Sequence, residues 1–176
     1  MATKSIRLLL LDANVVLELH RLGLWSGVVE RCEVLLARTV LDESKYYEMD
    51  DGRQQRIDLG REIETAQVRI VEVPLDKVIA FQQRFRPTFL GRLDPGELES
   101  LAHLVEVNRG CSISSADKIV WRTLGALRLG EHGLSLEEIL GRIGQSRRLD
   151  EPFTKHYREM WTRKGFDEGL RGEATR

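Results

Sequence analysis

The chain has 176 residues, 41% of them hydrophobic, and is long enough to bury the core of one globular domain. Its 27 Lys and Arg nearly balance its 28 Asp and Glu, so the overall charge makes no case for nucleic-acid binding, and any basic surface must be local. No leader pattern opens the chain and no apolar run approaches the roughly 20 residues of a membrane span, which predicts a cytoplasmic protein without a membrane partner.

The first half of the chain alternates predicted strands and helices. Residues 8–11 are a continuous run of leucines, which suits a strand buried on both faces. Apolar spacing and turn residues then predict, in chain order, helices 14–21 and 24–30, strand 33–37, helix 42–49, polar loop 50–55, a short polar helix 61–67, strand 68–73 and helix 75–85. Such alternation is typical of parallel strands connected by helices.

The clearest helix boundary lies in LDPGELESLAHLVE. Asp94 stands as the N-cap, Pro95 as the first helical residue and Glu97 as the third, which is a capping-box arrangement. Apolar residues then recur at helical spacing along one face, which predicts that this face lies against the core.

The second half continues the alternation and ends in a polar segment. The predicted elements are strand 111–114 and helices 118–127 and 136–143. Strands that alternate with helices imply an α/β fold with a parallel sheet covered on both faces. We assign this domain to residues 1–144 and expect residues 145–176 to form a helical extension packed on the domain or on a partner.

Four acids come where predicted strands end or where helices begin: Asp12, Glu43, Glu97 and Asp117. In a parallel sheet these positions lie along one edge, so the four carboxylates could converge. Like charges raise one another's pKa unless a cation neutralises them, and oxygen ligands without His or Cys suit Mg²⁺ or Mn²⁺. Such a site can activate water and stabilise the charge on a phosphodiester, which makes nucleic-acid hydrolysis a coherent chemistry.

Each acid also has a structural interpretation, which the sequence leaves open. Asp12 and Asp117 could simply cap helices, and Glu43 could belong to a solvated acidic helix face. Glu97 already serves the capping box. Glu99 lies about 200° further around the helix axis, so at most one of these two glutamates can be a ligand.

The cysteines and histidines offer no competing site. Cys32 and Cys111 lie far apart without metal-ligand spacing, so neither a disulfide framework nor a zinc site is indicated. The four histidines are scattered and none pairs with Ser or Cys in a nucleophile motif; they are His20, His103, His132 and His156. Without a GxGxxG motif or a phosphate loop, neither a dinucleotide site nor a P-loop nucleotide site is supported.

Four pieces of the sequence together resemble the PIN-domain ribonucleases, a family that includes VapC-like toxins of bacterial toxin-antitoxin pairs. LLLLDANVV resembles the family's first strand with its D-x-N, and RTVLDES resembles the segment that gives the second acid, at Glu43. LDPGELESLAHL is similar to the D-x-G-E helix of one branch, with Glu97 as the third acid, and SSAD is similar to the T-x-D that gives the last acid, at Asp117. The order and spacing of the pieces are more specific than any one of them.

The resemblance implies a three-layer α/β/α Rossmann-like sandwich with a mainly parallel sheet. It implies an endoribonuclease whose Mg²⁺ or Mn²⁺ is held by three acids: Asp12, Glu97 and Asp117. Glu43 would support them as a fourth catalytic acid, Asn14 would orient Asp12 or the water, and Ser115, where the family has Thr, would keep the hydroxyl of the site. RNA would be the substrate, and an antitoxin protein or a second copy of the chain would be a partner.

The C-terminal segment has a basic bias, because residues 142–176 contain nine Lys and Arg against six Asp and Glu. Its interleaved aromatic and basic residues could hold a nucleic-acid backbone and stack a base. We favour the alternative interpretation, an amphipathic helix docked on the domain. Its docking face would contain Phe153, Tyr157, Met160, Trp161 and Lys164.

Two other functions stay open. Ala116 stands where related branches often carry an extra acid, so the non-enzyme alternative is a degenerate PIN-like module that binds RNA or protein. A phosphatase of the haloacid-dehalogenase type also begins with a strand that ends in Asp. It expects D-x-D and a later catalytic Lys, and the DAN of residues 12–14 fails the first requirement.

Overall fold

The computed structural model describes residue 4 and residues 6–48 and 52–176. Its strands are β1 (Ile6–Leu11), β2 (Cys32–Ala37), β3 (Tyr46–Glu48), β4 (Gln54–Arg56), β5 (Val68–Val71) and β6 (Ser112–Ser114). The main sheet is parallel throughout, in the order β5-β2-β1-β6, while β3 and β4 pair as a separate antiparallel hairpin. The predicted α/β fold with a mainly parallel sheet is confirmed.

Helices connect the strands and cover both faces of the sheet. They are α1 (Ala13–Arg21), α2 (Trp25–Arg31), α3 (Arg38–Glu43), α4 (Gly60–Glu64), α5 (Leu75–Gln82), α6 (Pro87–Leu90), α7 (Pro95–Ala102), α8 (Lys118–Ala126), α9 (Leu136–Arg142) and α10 (Lys155–Leu170). A π-helical turn, His103–Val107, continues α7. This arrangement is consistent with a three-layer α/β/α Rossmann-like sandwich.

Alternate residues of the central strands enter two separate cores, one on each face of the sheet. Leu9 and Leu11 of β1 belong to the core that contains residues of α1, α2 and α9. Leu10 of β1 and Leu35 of β2 belong to the core that contains residues of α5, α7 and α8. Because successive side chains of a strand point to opposite faces, a strand buried on both faces needs the unbroken apolar run seen in β1.

The strand order reverses between β1 and β6. The first connections of the chain lead from β1 outward to β2 and β5, whereas β6 pairs with β1 on its other side. Leu11 and Ser114, the last residues of β1 and β6, are register partners, so both strands end at the same level. A crevice outside such strand ends is where ligands bind in open α/β sheets.

The prediction of a helix over residues 42–49 is wrong. The helix α3 spans Arg38–Glu43, and Tyr46–Glu48 form β3, while residue 49 lies outside the described residues. The carboxylate of Glu99 fixes the start of α3, since it accepts hydrogen bonds from Thr39 N at 3.1 Å and Thr39 Oγ1 at 2.6 Å. This contact spans sixty residues, so no local pattern could reveal it.

The predicted polar loop over residues 50–55 is wrong only at its end, since Gly52 and Arg53 lie outside any helix or strand. Gln54 and Gln55 belong to β4 and pair with Glu48 and Tyr47 of β3; residues 50 and 51 lie outside the described residues. The prediction that Glu43 lies early in a helix is wrong as well, because Glu43 is the last residue of α3.

The C-terminal helix α10 packs closely along α8, and the predicted docking face is confirmed in part, since Tyr157 and Trp161 pack against the core that contains residues of α8. Met160 and Lys164, which were expected in the docking face, are exposed. Gly165 lies against the backbone of Arg122 on α8, where an added Cβ would overlap the carbonyl oxygen of Arg122. Glu168 forms a buried bidentate ion pair with Arg122, with both N···O distances at 2.8 Å.

No helix among the described residues is long and apolar enough to cross a membrane.

Candidate functional site

Asp12 occupies the switch point between β1 and β6, directly after the last residue of β1. Its backbone N–H donates to the carbonyl oxygen of Ser114 at 3.1 Å, which joins the two strand ends. The side chain is 3% exposed and caps α1, because Oδ1 accepts from Val15 N at 2.8 Å. The capping interpretation of Asp12 is therefore correct, and the buried carboxylate lies at the strand ends.

Ser115 links Asp12 to Asp117. Its hydroxyl donates to Asp12 Oδ2 and accepts from the backbone N–H of Asp117 at 2.9 Å. Ala116 N also donates to Asp12 Oδ2, at 3.2 Å. Asp117 in turn caps α8, with Oδ1 accepting from Ile119 N at 2.9 Å. One buried hydroxyl thus holds the loop that brings the carboxylates of Asp12 and Asp117 to the same strand ends.

The predicted capping box at the start of α7 is present. Asp94 Oδ1 accepts from Glu97 N at 2.8 Å, and Glu97 Oε2 accepts from Asp94 N at 3.1 Å. Glu97 is 4% exposed, so the box fixes a buried carboxylate rather than a solvated one. Glu99 points elsewhere, to Thr39 on α3, as its helical spacing predicts.

Glu43 reaches the same region from the end of α3. A Cβ added to Gly96 would lie 3.0 Å from Glu43 Oε2 and 3.6 Å from Asp94 Oδ1. The glycine of the DPGE sequence therefore leaves room for the carboxylates of Glu43 and Asp94 to approach each other. Asp12, Glu43, Asp94, Glu97 and Asp117 are called the carboxylate edge below.

The electrostatics of the carboxylate edge are those of acids that lack a counter-charge. The pKa of Glu97 is raised to about 8, mainly by burial and further by the charges of Asp94, Asp117 and Asp12, against the hydrogen bond from Asp94 N that lowers it. Burial also raises the pKa of Asp12 to about 6, against the hydrogen bonds that lower it, and Asp94 adds repulsion. The pKa of Glu43 is raised by burial and by Asp94. A negative charge on Asp12, Glu43 or Glu97 is therefore costly while the neighbouring acids are ionised.

Within the described residues, no Lys, Arg or His forms a salt bridge with the carboxylate edge. An oxygen-only donor set with uncompensated charge is the chemistry that a hard divalent cation prefers. Over the same part of the chain, however, no three His, Cys, Asp or Glu side chains form a group ready to hold a metal ion. The donor chemistry fits Mg²⁺ or Mn²⁺, and the side chains would have to move together to enclose it.

The remaining predicted site residue lies at the rim. Asn14 is exposed and lines a cavity with Tyr46, Tyr47 and Ala116; among the described residues its side chain makes no hydrogen bond to Asp12. Asp12 is oriented instead by Ser115 and by two backbone N–H groups.

Three of the four histidines and both cysteines have packing environments, whereas His156 is exposed. His20 stacks on Trp25 with ring centroids 5.0 Å apart, and His132 Nδ1 lies 3.0 Å from the carbonyl oxygen of Cys111. Burial lowers the pKa of His103 and raises the pKa of both buried thiols, Cys32 and Cys111, to about 11. The thiols therefore stay protonated at neutral pH.

Asp94 is the member of the carboxylate edge that sequence reasoning treated only as a helix cap. Its charge raises the pKa of Asp12, Glu43 and Glu97 alike. The position of Asp94 in the same short motif as Glu97 could have indicated this role. An N-cap residue uses one carboxylate oxygen for the cap and leaves the other free for a second role.

Comparison with protein-family models, with curated proteins and with solved structures finds no match to the chain.

Proposed function

We propose that this protein is a metal-dependent endoribonuclease of the PIN type that hydrolyses RNA phosphodiester bonds at the carboxylate edge. One observation carries the proposal: five carboxylates from distant parts of the sequence converge at the switch point of a parallel sheet without a described cationic partner. The order of the sequence motifs, which resembles that family, supports the choice of RNA as substrate.

The cost of the arrangement supports a cation as its partner. Glu97, with a pKa of about 8, is mostly protonated at neutral pH. Its ionisation lowers the free energy of unfolding. A buried acid of this kind is common at functional sites and rare where an acid serves only packing. A divalent cation would remove this cost, because it stabilises the ionised form of every carboxylate that surrounds it.

The residues would divide the work as follows. Asp12, Glu97 and Asp117 would hold Mg²⁺ or Mn²⁺, with Glu43 and Asp94 beside them. The bound cation would activate water and stabilise the charge that develops on the phosphodiester. Ser115 would keep Asp12 and Asp117 in register through its two hydrogen bonds.

A second candidate function is a degenerate module that binds RNA or protein without cleaving it. The observation in its favour is the lack of a ready three-residue metal group among the described residues, together with the methyl side chain of Ala116, which provides no further acid. Such a module should bind divalent cations weakly and should tolerate Asp12→Asn without loss of its binding activity.

The biological setting belongs to the same proposal. A toxin role, an antitoxin partner, a homodimer and a cytoplasmic location follow from the resemblance and from the sequence rather than from a contact in the structure. A neighbouring reading frame that encodes a small DNA-binding protein would support the toxin role.

The test is cleavage of a mixed panel of structured and single-stranded RNAs in Mg²⁺ or Mn²⁺. We expect the wild-type protein to cut, and Asp12→Asn and Asp117→Asn to lose at least about a hundredfold in rate, since each removes a charged ligand. Asp42→Asn is a matched control, because Asp42 is exposed and pairs with Lys45 at 3.5 Å.

Addition of EDTA should abolish cleavage by the wild-type protein. Cutting by the purified protein that survives EDTA, or that both Asp12→Asn and Asp117→Asn retain, would contradict the proposal. An inactive wild-type protein that also binds no divalent cation would favour the degenerate module.

A further inference from the structure

A basic recess lies next to Asp117, on the side of the carboxylate edge that faces α10. A cavity of about 380 Å³ is lined by Asp117 together with Arg92, Lys118, Trp161 and Lys164, among others. A second cavity of about 380 Å³ shares Arg92 and Lys164 with the first. The two cavities are neighbours through this shared lining, and the surface defined by Arg92, Lys118, Trp161 and Lys164 is called the basic groove below.

Three cations of the basic groove keep their charge uncompensated. Arg92, Lys118 and Lys164 form no salt bridge within the part of the chain that the structure describes. Arg122, which also borders the groove, differs, because Glu168 neutralises it in a buried bidentate pair. The acid that does line the first cavity, Asp117, directs Oδ1 to the N-terminus of α8. Glu168 and Glu173 line the second cavity, but each pairs with an arginine, Glu168 with Arg122 and Glu173 with Arg171. Among the described residues that line the two cavities, the charges without an ion-pair partner are therefore the three cations and Asp117.

Trp161 organises these cations without neutralising them. The Nζ atom of Lys164 lies 4.9 Å from the centroid of the Trp161 ring, and Nζ of Lys118 lies 5.7 Å from it. A neutral ring attracts an ammonium group but leaves its net charge available to an anion. Two lysines from different helices are thus held around one aromatic side chain, at the spacing that the close contact of α8 and α10 sets.

We propose that the basic groove binds the phosphodiester backbone of single-stranded nucleic acid and leads it to the carboxylate edge. Uncompensated cations beside aromatic side chains are the general means of holding single strands. The small volume of the recess suits the phosphates of one strand more than the surface of a duplex. The choice of nucleic acid over other phosphate compounds rests on the proposed function of the adjoining carboxylates.

The test is binding of a fluorescein-labelled 12-nucleotide oligouridine to the full-length protein in EDTA, followed by anisotropy over a series of salt concentrations. EDTA prevents metal-dependent cleavage, so binding is measured alone. We expect the double variant Lys118→Gln with Lys164→Gln to weaken binding at least about tenfold at low salt. The slope of log K against log[salt] should fall by about 1.4, because each phosphate contact on a single strand contributes roughly 0.7.

A charge-matched control is the double variant Arg61→Gln with Lys77→Gln. Both of these side chains are exposed and form no salt bridge among the described residues, and they lie on α4 and α5, away from the residues that line the groove. The control should keep the wild-type affinity and salt slope. Equal loss in both double variants would show general attraction to charge and overturn the proposal.

Two further readouts separate a strand from smaller ligands. Trp161 is half-buried, whereas Trp25 and Trp121 are buried, so oligouridine should change the intrinsic fluorescence of the wild type and not of Trp161→Phe. Inorganic phosphate should compete only at concentrations far above those of the oligonucleotide. Competition by phosphate at equal concentration, or a duplex that binds more tightly than the single strand, would overturn the proposal.

The failure of this inference differs from failure of the proposed function. If the lysine variant loses binding while the wild type never cleaves RNA, only the ribonuclease proposal fails. If the wild type cleaves RNA but the lysine variant binds and cleaves as well as the control, only the basic groove fails.

Discussion

At the residue scale, the hydroxyl of Ser115 is the smallest feature on which the candidate site depends. It donates to Asp12 Oδ2 and accepts from Asp117 N, and Ser115 is fully buried. No other described hydroxyl joins the two aspartates. Ser115 therefore orients the carboxylate of Asp12 directly and holds the backbone of Asp117, although it carries no charge itself.

Ser115→Ala should lower the affinity for Mn²⁺ by about 10- to 100-fold, the usual cost of removing a hydrogen bond that orients a metal ligand. Ser115→Thr keeps the hydroxyl and should retain most of the affinity. Titration of Mn²⁺, followed by its electron paramagnetic resonance signal, measures both. An alanine variant that binds as well as the threonine variant would mean that the backbone alone orients the aspartates.

Glu97 makes the stability of the metal-free protein depend on pH. Its pKa is about 8 in the folded protein, against an ordinary value of 4.5, so the folded state holds an extra proton between these two pH values. The free energy of unfolding therefore falls as pH rises from about 4.5 to about 8. Asp12, with a pKa of about 6 against 3.8, adds a loss in the same direction over the lower part of this range.

Glu97→Gln should remove the larger part of this dependence. Glutamine cannot ionise but still accepts from Asp94 N in the capping box. In EDTA we expect the variant to gain about 1–3 kcal/mol over the wild type at pH 8, and much less at pH 5, since one pKa unit corresponds to about 1.4 kcal/mol. Urea unfolding at both pH values measures the gain. The exposed Glu64→Gln should behave as the wild type, and a gain that is equal at both pH values would contradict the account.

At the element scale, the features that the sequence predicts well are the local ones. The capping box of α7 needs only Asp94 and Glu97, three residues apart, and it forms as expected. The helix α3 depends instead on a carboxylate from α7, which caps it through Thr39. The β3–β4 hairpin depends on backbone pairing across a loop. Neither contact produces a periodic pattern of apolar residues in the segment that it stabilises.

The contact between α8 and α10 likewise depends on small residues that periodicity overlooks. Sequence reasoning looked for an apolar face on α10, but the closest approach is made by Gly165 to Arg122 and by Gly125 to Thr162. A glycine has no side chain and so adds nothing to a pattern of apolar residues, although it allows two helix backbones to come into contact. The buried pair of Arg122 and Glu168 then closes the interface.

Gly165→Ala should destabilise the protein by about 1–3 kcal/mol or more, because the new methyl group overlaps the backbone of α8 and forces the helices apart. Gly141→Ala on α9 is the matched control, since an added Cβ there meets nothing within 4 Å. The control should stabilise by about 0.5–1 kcal/mol, the usual preference for Ala over Gly in a helix. Urea unfolding curves compare the two variants, and equal effects would contradict close helix packing.

At the scale of the whole molecule, the candidate site is a product of strand order. Asp12 and Asp117 are 105 positions apart, yet β1 and β6 are neighbours whose last residues are in register. The rule that parallel strands end at one edge was enough to predict that these acids meet. The same rule could not predict the role of Asp94, because its effect on Asp12 and Glu43 acts through space.

The most direct measurement is a calorimetric titration of Mn²⁺ into the protein at pH 7, in two buffers with different heats of ionisation. The account predicts one bound ion and release of about one proton, since Glu97, with a pKa of about 8, must ionise to bind a cation. Asp12→Asn should abolish binding and Asp42→Asn should leave it intact. Absence of binding, or binding that Asp12→Asn does not change, would contradict the claim that the carboxylate edge is a metal site.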